Sequence, residues 1–121
     1  MEKLLTIIIP CYNEEDSIEH FFYETEKIDL PVKREYLFVD DGSKDSSLNK
    51  IKELYTAYPD KVRYLSFSRN FGKEAGIYAG LKEAQGDYVV LMDVDMQDPP
   101  SLLPRMYHIL TEEDYDCVGA R

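Results

Sequence analysis

Tryptophan is missing from these 121 residues, and histidine and cysteine each occur only twice. Cys11 and Cys117 stand far apart without Cys-x-x-Cys spacing, which argues for a reducing environment. No apolar run approaches the roughly 20 residues needed to cross a bilayer. The opening MEKLLTIIIPCYNEE has neither a long apolar leader core nor a small-residue cleavage site. The expected setting is therefore cytoplasmic. Basic residues are also scarce: 14 Lys and Arg face 24 Asp and Glu, a net charge of −10. That balance excludes the basic stripe of a nucleic-acid surface. His20 and His108 fall inside helix-like segments without HExxH spacing, and Ser43, Ser46 and Ser68 lack a GxSxG setting. Neither GxGxxG nor GxxxxGKS appears, so a dinucleotide dehydrogenase or a kinase finds little support.

What is present suits one compact domain, with 44% hydrophobic residues. Leu4 to Ile9 is an unbroken, largely β-branched run, as in a strand buried on both faces, and Pro10 closes it. Asn13, with Asp16 three positions on, predicts a helix cap, and Ile18, Phe21, Phe22 and Thr25 recur at helical spacing through Ile28. Glu14 and Glu15 then read as first-turn acids. Tyr36 to Val39 predicts a second strand, followed by a helix marked by Leu48, Ile51, Tyr55 and Tyr58 and capped by Ser43. Val62 to Phe67 predicts a third strand, Lys73 to Ala84 a small-residue helix stopped by Gly86, and Tyr88 to Met92 a fourth strand. Leu102, Leu103, Met106, Ile109 and Leu110 give the next helix a buried stripe, and a short fifth strand begins near Asp116. This alternation predicts an α/β fold with a mostly parallel, Rossmann-like sheet flanked by helices.

Ligands of such sheets bind beyond the carboxyl ends of the strands, where loops converge and helices present free N–H groups. The unusual residues stand at those ends. Asp93 and Asp95, two carboxylates at i and i+2 past a buried strand, can reach one hard cation such as Mg²⁺ or Mn²⁺ and leave positions open for phosphates. Turn and cap roles are the plainer alternative, and for Asp98, just before two prolines, a helix cap is the favoured one. Asp40 and Asp41 place adjacent like charges before Gly42 and Ser43, an arrangement that a ligand donor or cation would relieve. Pro10, Cys11 and Tyr12 bring a backbone edge and an aromatic face towards the same crevice, suited to a flat nucleobase or to ordinary packing. Arg69 and Lys73, flanking Asn70, Phe71 and Gly72, put positive charge at a helix start, suited to a diphosphate or to surface salt bridges.

In this order the clusters resemble the family 2 glycosyltransferases of GT-A fold. IIIPCYNEE (Ile7 to Glu15) resembles the family's opening strand and loop, VDDGSKD (Val39 to Asp45) its acidic nucleotide turn, and DVD (Asp93 to Asp95) its metal-binding Asp-x-Asp. SRNFGKEA (Ser68 to Ala75) with DVDMQDPP (Asp93 to Pro100) resembles the subgroup that moves a sugar onto a polyprenyl phosphate. Dolichol-phosphate mannose synthases and bactoprenol glucosyltransferases belong to that subgroup. The resemblance implies a UDP- or GDP-sugar donor held by Pro10, Tyr12, Glu14, Asp40, Asp41, Lys73, Asp93 and Val94. It implies a Mg²⁺ or Mn²⁺ surrounded by Asp93, Asp95 and Gln97, with Asp93 and Asp95 as the catalytic pair. Arg121 matches an arginine that contacts the phosphate of a polyprenyl acceptor.

Family members continue well beyond 121 residues. The chain therefore reads as the nucleotide-sugar-binding, N-terminal part (residues 1–121) of a catalytic domain. The full-length protein is expected at the cytoplasmic face of a membrane, reached through segments absent here, and a homo-oligomer is compatible with the sequence. The implied reaction is metal-assisted and inverts the anomeric carbon; an anionic lipid phosphate needs no strong general base. Two competitors remain. A non-catalytic nucleotide-sugar-binding fragment differs by lacking turnover. A phosphoacceptor receiver module would place its acids after strands one and three, whereas here they follow strands two and four.

Overall fold

The computed structural model describes residues 3–95, 99–112 and 117–119. Strands β1 (Leu4–Cys11), β2 (Lys33–Asp40), β3 (Val62–Ser66), β4 (Tyr88–Leu91) and β5 (Cys117–Gly119) alternate with helices α1 (Ile18–Glu26), α2 (Ser47–Ala57), α3 (Lys73–Glu83) and α4 (Leu103–Glu112). The strands form one sheet in the order β3-β2-β1-β4-β5, and every pairing is parallel. The chain therefore winds outward from β1 in one direction, then returns to build the other side. The order reverses between β1 and β4, where the loops after these two strands diverge and leave a crevice.

Alternation along β1 divides the core. Leu5, Ile7, Ile9 and Cys11 face the larger cluster, which Phe21 and Phe22 of α1, Ile51 of α2 and Leu103 of α4 complete. Tyr36, Phe21, Phe22 and Phe38 are its largest fully buried side chains, each worth about 1.5–3 kcal/mol by apolar area removed from water. Ile8, Leu37 and Val39 face the opposite side, where α3 packs. The residues α3 buries are Gly76 and Gly80. Its backbone lies close to the sheet because neither has a side chain: a Cβ on Gly80 would stand 2.8 Å from Ile8 Cγ2.

At the amino end of the sheet, Glu35 forms a buried clasp. It accepts the Thr6 hydroxyl at 2.5 Å and the Gln85 N–H at 3.1 Å, and its other oxygen pairs with Arg63 at 3.1 Å. Three strands and the turn before β4 are thereby joined at one carboxylate.

Several sequence expectations move. Helix α1 begins at Ile18 behind Ser17, so Asn13 is not its cap, and Glu14 and Glu15 lie before the helix and not in its first turn. Helix α2 begins at Ser47 behind Ser46, so Ser43 does not cap it. Asn13 and Ser43 are instead spent on each other's loops, as described below. Strand β2 starts three residues earlier than Tyr36, because Lys33, Arg34 and Glu35 pair with Leu4, Leu5 and Thr6 despite their charge. Leu102 ends a short 3-10 turn (Pro100–Leu102) and is 37% exposed, so the buried stripe of α4 is Leu103, Met106 and Leu110. Asp98, expected as a cap, lies outside the described residues.

Candidate functional site

The loop after β1 is laced to the loop after β2 by side chains that would otherwise cap helices. Asn13 adopts a left-handed backbone, φ +52°, and donates its N–H to Ser43 Oγ at 2.9 Å, while its own Oδ1 accepts the Lys44 N–H at 2.9 Å. Asparagine is among the few residues that adopt this conformation readily. The Glu14 N–H donates to Ser47 Oγ at 2.7 Å, and Glu15 Oε1 accepts the Ser46 N–H at 3.2 Å. These bonds fix one wall of the crevice and explain why short polar residues cluster where no cap is formed.

The opposite bond set comes from Asp41. One carboxylate oxygen accepts the Phe71 N–H at 2.8 Å and the other the Gly72 N–H at 3.0 Å. Gly72 has φ +102° and stands just before α3, so this clamp sets where α3 starts and where Lys73 is presented. Lys73 then reaches Asp93, with 2.7 Å between its Nζ and Oδ1.

Between these walls lies a cavity of about 280 Å³ lined by Pro10, Cys11, Tyr12, Glu14, Asp41, Lys73, Gly76, Asp93, Val94 and Asp95. Nine of the residues singled out in sequence are thus brought together. Asp40 is not among them. It is buried and lines an adjoining cavity of about 380 Å³, with Gly42, Ser43, Phe67, Arg69 and Asn70 among its neighbours. Its Oδ2 accepts the Ser43 N–H at 3.3 Å, and its Oδ1 has no partner among the described residues. Tyr12, 41% exposed, lines both cavities. Arg69 lies over the Phe71 ring at 4.9 Å and lines the second cavity, away from Lys73. Gln97 and Arg121 lie outside the described residues.

Carboxylates dominate the first cavity. Partial burial, reinforced by the charge of Asp95, raises the Glu14 carboxyl above its ordinary value. Burial, with Asp40 and Glu14 nearby, pushes the Cys11 thiol well up, so Cys11 is an uncharged wall and no nucleophile. Sequence reasoning missed Gly76 as a lining residue. Its place beside the cavity follows from α3 lying close on the sheet, and the Gly76/Gly80 spacing is the signal that carried it.

The glycosyl transferase family 2 profile matches residues 6–121. An undecaprenyl-phosphate 4-deoxy-4-formamido-L-arabinose transferase of Proteus mirabilis is 37% identical over 97% of this chain, which covers 36% of that protein. The mannosyltransferase PcManGT from Pyrobaculum calidifontis, solved in complex with GDP-Man and Mn²⁺, superposes with a TM-score of 0.78 at 26% identity, over 91% of this chain and 33% of its own. TarS 1-349 of S. aureus, solved in complex with UDP-GlcNAc, gives a TM-score of 0.71 at 25% identity, over 94% of this chain and 32% of its own. The chain thus spans about a third of the length of the proteins it resembles. No helix among the described residues is long and apolar enough to cross a membrane. With a family match running from the first strand to the last residue, on a parallel sheet of the matching architecture, the chain belongs to glycosyl transferase family 2.

Proposed function

We propose that this chain is the nucleotide-sugar-binding part of a glycosyltransferase catalytic domain, which moves a sugar from a UDP- or GDP-linked donor to a polyprenyl phosphate or a related acceptor. One observation carries the reading: Tyr12, Asp41, Lys73, Asp93 and Asp95 line a single cavity at the point where the strand order reverses. Flat aromatic, hydrogen-bond acceptor, cation and carboxylate pair are the groups that a base, a diphosphate and a hard cation require.

In this reading Tyr12 and Pro10 flank the base, and Asp41 and the buried Asp40 offer acceptors to its N–H groups or to the ribose. Lys73 takes the diphosphate, beside the N-terminus of α3. Asp93 and Asp95 hold Mg²⁺ or Mn²⁺, and Gln97 joins them. The donor set fits such an ion: Asp93 and Asp95 bring two carboxylates to the same cavity lining, with Glu14 and Asp41 on it as well. A hard cation held by one or two carboxylates keeps positions for water and phosphate. When bound, it supplies Lewis acidity to the departing diphosphate. Arg121 meets the acceptor phosphate, and attack from the face opposite the leaving group inverts the anomeric carbon. The acceptor is supported by the name of the Proteus relative, the donor and ion by the contents of the PcManGT and TarS structures.

Calorimetric titration with UDP and GDP, each with and without Mn²⁺, tests the donor site. Binding that requires Mn²⁺ and disappears in Asp93→Ala/Asp95→Ala supports it and identifies the base. Folded protein that binds neither nucleotide overturns it. Because the chain spans about a third of its relatives, binding and not turnover is the fitting readout.

A further inference from the structure

Lys73 is the first residue of α3, and its ammonium lies 2.7 Å from Asp93 Oδ1. Glu14, Asp41, Asp93 and Asp95 line the cavity, and Lys73 is the cation among the described lining residues. An ammonium on Asp93 Oδ1 competes electrostatically with a divalent ion on the same carboxylate. Two cations cannot share that oxygen closely without strong repulsion. The Lys73 side chain is 59% exposed against 22% for Asp93. Its flexible stem is therefore free to turn towards the cavity or solvent with little packing lost.

We propose that Lys73 is an exchangeable counter-ion: it neutralises Asp93 while the cavity is empty, and surrenders that carboxylate to the divalent ion by transferring its ammonium to the donor diphosphate. This rests on the donor-site reading above and adds a coupling to it. A divalent ion arriving alone must displace the ammonium from Asp93 Oδ1 with no incoming anion to replace that partner. With a diphosphate present, Lys73 exchanges one anionic partner for another. Ion and nucleoside diphosphate therefore strengthen each other's binding, by the same factor in both directions. The ammonium also lowers the affinity of the empty site for stray cations, so the carboxylate pair fills when the donor does.

Binding of Mn²⁺ to the 121-residue chain, followed by the electron paramagnetic resonance signal of the free ion, tests this with and without saturating UDP or GDP. Lys73→Met is expected to bind Mn²⁺ alone about three- to fivefold more tightly than the parent, the range of an exposed ion pair. Its affinity for the nucleotide in the presence of Mn²⁺ is expected to fall about tenfold, and the mutual strengthening to shrink. Lys73→Arg, which keeps the charge, is expected to retain the weak Mn²⁺-alone binding of the parent. The proposal is overturned if Lys73→Met binds Mn²⁺ alone no more tightly than the parent, or keeps the full coupling. A parent chain that binds neither UDP nor GDP with Mn²⁺ defeats the donor-site reading instead; the Mn²⁺-alone comparison still decides whether Lys73 competes for Asp93.

Discussion

Asp41 holds Gly72 across the crevice, accepting its N–H at 3.0 Å on one carboxylate oxygen while the other oxygen takes the neighbouring Phe71 N–H at 2.8 Å. The residue expected to meet the nucleoside is thus already engaged in positioning the start of α3. Each carboxylate oxygen has a second lone pair, so a ligand N–H can be added without breaking the clamp.

Asp41→Asn puts an amide NH₂ against one of those two N–H groups. The expected loss is about 1–3 kcal/mol of stability, the cost of a buried donor left unpaired, read by urea unfolding. Nucleotide affinity is expected to fall with it, since Lys73 follows directly on Gly72.

Two alanine substitutions on one helix should part company. In Gly80→Ala the new Cβ stands 2.8 Å from Ile8 Cγ2 inside the packed face, and overpacking is expected to outweigh the gain in helix propensity, for a net loss of about 1 kcal/mol. In Gly76→Ala the nearest atom, Val39 Cγ1, is at 3.4 Å, an ordinary contact. That variant is expected to be as stable as the parent or about 0.5 kcal/mol more so. Thermal unfolding of the pair checks the ordering.

Glu26 gives the fold a dependence on acid. Partial burial pushes its carboxyl up, but the Tyr36 hydroxyl at 2.8 Å and the Lys61 ammonium at 2.6 Å outweigh this and hold it below the ordinary glutamate value. A lowered folded value stabilises above the unfolded pKa and is lost as pH falls through the folded one. Glu26→Gln is therefore expected to unfold more easily than the parent at pH 7, with the difference shrinking as pH falls below about 4, in parallel denaturant titrations.

Glu35→Ala removes the acceptor of the Thr6 hydroxyl and the Gln85 N–H and leaves Arg63 without its carboxylate. Loss of one partner from such a buried cluster is expected to cost about 3 kcal/mol or more, visible as a lower urea midpoint with an unchanged slope.

The strands and their parallel arrangement were legible because buried parallel strands are written as near-continuous apolar runs, as in Leu4 to Ile9, where Thr6 alone is polar. The start of β2 was not, since Lys33 and Arg34 are charged and only pairing with β1 recruits them. The caps failed for a physical reason: Asn13 and Ser43 have cap chemistry, but each other's loops offered the donors and acceptors first. Position at strand ends was enough to gather nine residues around one cavity. It could not separate Asp40 from Asp41, because adjacent residues at the end of a strand point to opposite faces. Nor could it show that Lys73 reaches Asp93, a contact that depends on where the Asp41 clamp places α3.

An all-parallel sheet contains no hairpins, and that governs how the molecule forms. Leu4 donates its N–H to Asp87 across 83 positions of sequence, and Gly86 donates to Thr6 across 80. One side of β1 is completed only by β4, the fourth strand in sequence. Such non-local closure slows folding, and the exposed edge of β1 in the meantime is an apolar strand open to pairing with another chain. Aggregation during refolding should accordingly track the delay in docking β4, and dilution should protect the protein more effectively than added stability in the native state.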